Sequence, residues 1–199
     1  MSQTADQATR QRLTRRGFAL EWITLSWNVI GVVILAISAI SARSIALAGF
    51  GLDSLIEIGA STVVIWELSG TGEQRQRRAM RLIGGAFVLL AVYLTAQATW
   101  ALASEYHSGH SLAGITWTAI TAAAMFALAY GKSRTGTALG SPVLRTEGKV
   151  TMIDGILAVA VLTGLALNAA ASWWWADPLA GYVLVYYGIR EAKVALTSH

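Results

Sequence analysis

From Leu82 to Ser104 the chain carries no charged side chain, and from Ser111 to Gly131 it again carries none. A helix needs ~20 apolar residues to cross the hydrocarbon core of a bilayer. Lipid offers the backbone no hydrogen-bond partner, so a run of that length must satisfy its own N–H and C=O groups as a helix. Two such runs decide the class of the protein, and further runs of the same kind flank them. The stretch between Arg16 and Arg43 is broken only by Glu21, near its edge. Ile45 to Leu68 is apolar except for Asp53, Glu57 and Glu67. A fifth run starts near Val150, carries Asp154, and is then uncharged up to Asp177. The sixth is short, Pro178 to Ile189, and spans if Arg190, Glu191 and Lys193 snorkel to the interface.

The pattern predicts an all-α membrane protein of six transmembrane helices at approximately 22–42, 45–68, 82–104, 111–131, 150–172 and 177–197. Residues 1–20 read as a flexible basic tail and 21–199 as one six-helix domain. Thr71–Arg78 and Lys132–Ser141 read as loops. Composition agrees, since only 13% of the 199 residues are charged and mean hydropathy is +0.53. Soluble domains carry about 25% charged residues, so a water-soluble enzyme and a disordered chain are both excluded. Without cysteine there is no disulfide, no thiolate metal site and no cysteine nucleophile.

A pI near 9.7 fits nucleic-acid binding in the abstract, but the cations lie between apolar blocks. All fifteen except Arg43 fall before the first span, between the second and third, between the fourth and fifth, or after the start of the sixth. By the bias of Lys and Arg toward cytoplasmic loops, both termini are expected in the cytoplasm. A multi-pass protein of a bacterial-type plasma membrane follows, with no nucleic-acid partner. The opposite loops carry Trp100, Tyr106 and Trp173-Trp174-Trp175, an interfacial aromatic belt.

Carboxylates inside these spans are the candidate functional residues. Ionisable groups are costly at membrane depth and normally face a cavity and a partner. Asp53 and Glu57, at i and i+4, share one helix face, which Gly49 and Ser61 extend. Asp154 lies on the antiparallel fifth helix, with Glu147 two turns nearer the expected cytoplasmic side. No Lys or Arg is expected deep in any span, so these acids must be held neutral by protons or by a metal cation. A site that accepts either is the physical basis of metal–proton exchange. Asn28, Gln97 and Asn168 read as interhelical hydrogen-bonders. Glu21 and Glu67, near helix ends, are assigned no role. Glu105, His107 and His110 form an external cluster that reads as a polar loop, the alternative being a site that collects metal.

The segment from Ser44 to Glu57, with its Asp53-x-x-x-Glu57 pair, resembles the second helix of the cation diffusion facilitator family. Thr151-Met-Ile-Asp154-Gly, followed by Trp174-Trp-Ala-Asp177-Pro178, resembles that family's fifth helix and its turn into the sixth. The resemblance spans about 20–197. It implies a six-helix bundle, a homodimer, and exchange of a divalent metal for protons at a site shared by helices two and five, the metal being cargo and not a cofactor. Two departures stand out. The family's His or Asp, four residues before the acid that matches Asp154, is Val150 here, leaving Asp53, Glu57 and Asp154, with water or Glu147 to complete the set. The family's usual cytoplasmic domain after the sixth helix has no counterpart before His199, so a dimer would be held by membrane helices.

An all-oxygen site favours harder cations such as Mn²⁺, whereas the family resemblance favours zinc. The expected function is a secondary transporter exporting zinc or manganese from the cytoplasm against protons. The alternative is a membrane scaffold or regulatory subunit whose buried acids are structural. No nucleophile–base or His-rich constellation supports an enzyme, and no Walker motif supports ATP-driven transport.

Overall fold

The computed structural model describes residues 2–68 and 73–197. These form six helices: α1 (Ser2–Ala42), α2 (Ile45–Leu68), α3 (Glu73–Ala103), α4 (Leu112–Leu139), α5 (Pro142–Ala171) and α6 (Ala176–Thr197). Among the described residues no strand occurs. Three helical segments are long and apolar enough to cross a membrane, Gln7–Ala42, Leu112–Leu139 and Glu147–Ala171, and Phe87–Ala103 is a shorter apolar segment within α3. The outward faces match, because Ile30, Val33, Ile37, Ile40, Leu89 and Leu112 are all exposed while Asp53, Glu57, Lys132 and Asp154 are buried. That inversion of the soluble pattern suits a lipid surround.

The helix ends at one pole follow the predicted spans closely, because turn chemistry fixes them. Arg43 adopts a left-handed backbone (φ 51°) between α1 and α2. Ser111 caps α4 by accepting from the Gly114 N–H at 3.0 Å. Ser172, also left-handed, closes α5 onto the Asn168 and Leu167 carbonyls. Ser44 caps α2 by accepting from the Leu47 N–H at 3.1 Å, and the Asp177 carboxylate of α6 reinforces that cap by accepting from the Ser44 hydroxyl and the Ile45 N–H.

At the basic pole the helices run further than predicted. The expected tail is helical from Ser2, in keeping with the Ala, Gln and Arg of 5–16 and the absence of Gly and Pro before Gly17. The expected Lys132–Ser141 loop is also mostly helix. α4 continues to Leu139, left-handed Gly140 ends it, and Ser141 caps α5 with Pro142 in its first turn. Of the Thr71–Arg78 loop, Thr71 and Gly72 lie outside the described residues and Glu73 begins α3.

The broadest packings pair α4 with α5, α3 with α6, and α1 with α2; α2 also touches α5 and α6. Toward the Arg43 pole the centre is apolar, built from Leu35, Leu47, Phe50, Val161 and Leu184 together with Leu94 of α3. Gly49 admits this contact, since a Cβ there would stand 2.7 Å from Leu94 Cδ2. Toward the basic pole the centre is polar, and lies between α1, α2, α4 and α5.

Candidate functional site

Each of three helices presents one polar face to the same interior. Asp53, Glu57 and Ser61 recur every fourth residue on α2, and all three are buried. Glu21, Thr24 and Asn28 recur at i, i+3 and i+7 on α1, and Glu147, Thr151 and Asp154 at i, i+4 and i+7 on α5; all six are buried too. These spacings place each trio on one side of its helix. α4 adds Lys132 and Thr135, also buried. Stacked Trp27 and Trp117, with the Trp27 Nε1–H donating to Thr121 Oγ1 at 3.1 Å, hold α1 against α4.

Two levels can be distinguished along the bundle. At the first, Glu57 of α2 meets Asp154 of α5, and the two carboxyls are close enough for a hydrogen bond once one is protonated. As carboxylates, Glu57 Oε1 and Asp154 Oδ2 have no donor. Asn28 Nδ2 donates to Glu57 Oε2 at 2.7 Å and fixes the orientation of that carboxylate. Asp53 lies one turn further along α2, where Glu57 and Glu191 of α6 act on its charge. The sequence-derived residues Asp53, Glu57 and Asp154 are thus all buried, with Glu57 and Asp154 in direct apposition. Among the described residues no three acids or imidazoles converge on one point in this conformation.

The second level lies nearer the basic pole and corrects the sequence reading. Lys132 is not in a loop but wholly buried, and its Nζ donates to Glu21 Oε2 at 3.1 Å, Glu147 Oε1 at 3.3 Å and Thr151 Oγ1 at 3.1 Å. The interior therefore does contain a cation. Glu21, expected at an interface, is fully buried, and Glu147 pairs with Lys132 while its charge also acts on Asp154. The two levels are electrically in contact, since the charges of Lys132 and Glu147 act on Glu57. A helix wheel of residues 20–31 would have placed Glu21 on the Asn28 face, which was the available signal. Lys132 carried none, because it ends an apolar run just where a loop cation is expected. Val150, the position of the absent family ligand, is half-buried between Glu147 and Asp154.

The polar loop residues behave as structure. His107 packs on Trp174, His110 Nε2 lies 3.2 Å from the Asn168 carbonyl, and Asn168 Nδ2 donates to the Ser108 carbonyl at 3.1 Å. Glu105 is exposed. These groups are distributed over separate contacts.

A comparison with protein families matches residues 79–193, α3 through most of α6, to the cation efflux transmembrane domain.

Proposed function

The chain belongs to the cation efflux family and is therefore a membrane transporter of cations and not an enzyme, and from that premise we propose that it exports a divalent transition-metal ion from the cytoplasm in exchange for protons. The observation that carries the proposal is the apposed pair Glu57–Asp154, buried and with one unpartnered oxygen on each side. Two carboxylates in contact repel unless a positive charge joins them. A proton serves that purpose as one state of the pair and a metal ion as the other, and the difference between those states couples the two fluxes.

Asp53, Glu57 and Asp154 are the proposed ligands, with the metal as cargo. Loading the ion draws Asp53 toward the pair, and water fills the remaining positions. Oxygen donors suit Mn²⁺ and leave Zn²⁺ less tightly held than a histidine-containing set would. The cation-rich pole is assigned to the cytoplasm, with both termini there, and the protein is assigned to the plasma membrane as a homodimer joined through its helices.

The test is metal flux in proteoliposomes with an imposed pH gradient, compared between the parent and Asp53→Asn, Glu57→Gln and Asp154→Asn. Each amide is nearly isosteric with the acid it replaces, so folding is retained and transport is expected to fall at least ~100-fold for Asp154→Asn (about 2.7 kcal/mol). Metal-driven proton movement should disappear together with metal flux. Parent-level transport by Asp53→Asn and Asp154→Asn would refute the site.

A further inference from the structure

The Lys132 ammonium is held as a bound cation would be. It is fully enclosed and surrounded by one oxygen each from Glu21, Glu147 and Thr151, at 3.1, 3.3 and 3.1 Å. Those oxygens come from α1 and α5, and the lysine reaches them from α4. A second oxygen of the same cradle, Glu21 Oε1, is buried and has no donor. The Glu21 side chain is wholly inaccessible, so this oxygen has no bulk water to serve it. Two carboxylates, a hydroxyl and an unused carboxylate oxygen form a hard, oxygen-rich donor set of the kind that binds divalent cations. By its place along the helices the set lies between the basic pole and the Glu57–Asp154 pair.

We propose that Glu21, Glu147 and Thr151 form an inner cation subsite on the transport path, occupied by the protein's own Lys132 ammonium so that divalent ions pass through without being retained. The path is that of the transport reading above, on which this inference rests. Its chemistry is a simple exchange. An arriving divalent ion displaces the ammonium from the carboxylates, and the ammonium returns when the ion moves on to Glu57 and Asp154. One positive charge on a tether balances one of the two carboxylates and leaves the other to attract the ion. Without that tether, the same oxygens would bind an ion and keep it. α4 and α5 approach closely beside this cradle: a Cβ at Gly148 would stand 2.9 Å from the Ser133 backbone nitrogen.

The experiment counts bound Zn²⁺ and Mn²⁺ per chain by equilibrium dialysis and calorimetry on the purified full chain. Lys132→Gln is the principal variant, because its amide donates to the carboxylates and its carbonyl oxygen can ligate; Lys132→Ala is the second. The parent is expected to bind one ion per chain and Lys132→Gln two. Lys132→Gln/Asp154→Asn should bind one, and Lys132→Gln/Glu147→Gln should also return to one. In proteoliposomes Lys132→Gln should show a lower KM for the metal and a several-fold lower maximal rate, the signature of an ion retained in transit. A folded Lys132→Gln and a folded Lys132→Ala that both bind no more ions than the parent would overturn the inference. So would failure of both variants to fold with either ion present, since a divalent ion would then be unable to take the ammonium's place. If the parent binds none while Lys132→Gln binds one, the transport site at Glu57–Asp154 is refuted and the inner subsite stands.

Discussion

The two ends of this bundle use the same helices for opposite purposes. Toward the Arg43 pole, α1, α2 and α5 contribute Leu35, Leu47, Phe50 and Val161 to a core shared with Leu94 and Leu184. Toward the basic pole the same three helices contribute Glu21, Asn28, Glu57, Glu147 and Asp154, and α4 adds Lys132. The apolar end gains little from burial as such, because lipid tails are as apolar as the core; it is held by close packing. The polar end is held by directional contacts to charged groups, which are costly whenever a partner is lost. One end is a close-packed apolar clamp, and the other is the end that, on the function proposed above, exchanges its partners for ions. α3 and α6 belong mostly to the clamp. They pack broadly on each other, and Glu191 of α6 lies near enough for its charge to act on Asp53.

Substitutions that act on one end alone are the way to break this division. The largest effect is expected from Leu94→Ala, which empties a wholly buried position against Gly49. A large-to-small change in a core costs about 2–5 kcal/mol; the lower end applies here, because the transfer part of that cost is small in lipid. Thermal unfolding in detergent should register the loss, while metal affinity at Glu57–Asp154 stays at the parent value. A matching fall in affinity would show that the two ends are not separable.

A smaller effect is expected at the other end from Asn28→Ala. It removes the 2.7 Å donor to Glu57 Oε2 and frees the carboxylate to rotate. Loss of a partner that orients a metal ligand typically costs 10–100-fold in affinity, and about tenfold is expected here. Asn168→Ala, which loses the Ser108 contacts at the apolar end, should leave affinity untouched. Equal affinity losses in both variants would remove the contrast.

The smallest and most selective effect belongs to Val150→His. Val150 lies one turn before Asp154 on α5 and is half-buried. Imidazole is a good Zn²⁺ ligand and a poor match for Mn²⁺, so zinc should bind several-fold tighter and manganese should not. The gain should appear only above pH ~6–7, where the imidazole is neutral and free to ligate. Metal titrations at two pH values test this. Unchanged affinity for both metals in a folded variant would mean that position 150 does not face the ion.

Much of this architecture could be read without coordinates, for identifiable reasons. Six helices, their ends at the Arg43 pole and the burial of Asp53, Glu57 and Asp154 follow from apolar run length and from the cost of a charge at membrane depth. At the basic pole the sequence is ambiguous, because helix propensity and loop composition overlap there. The Lys132–Ser141 stretch, rich in Gly, Ser and Thr, has the composition of a loop, yet α4 persists through it to Leu139. Asp177 was legible only as part of a motif; its role in reinforcing the cap of α2 needed α6 laid beside Ser44.

Sequence alone therefore determined the number of helices, the membrane setting and the burial of Asp53, Glu57 and Asp154, because these depend on local run length and on i, i+4 spacing within one helix. Tertiary structure decided which of those charges are partnered. Glu57 with Asp154 joins residues from α2 and α5, and Glu21, Lys132 and Glu147 join α1, α4 and α5. No spacing along the chain encodes such a meeting, because it depends on how helices distant in sequence are rotated and how deep they sit. Lys132 is the clearest instance. Read along the chain it is the first cation after an apolar run, and in three dimensions it is a positive charge inside an acidic interior.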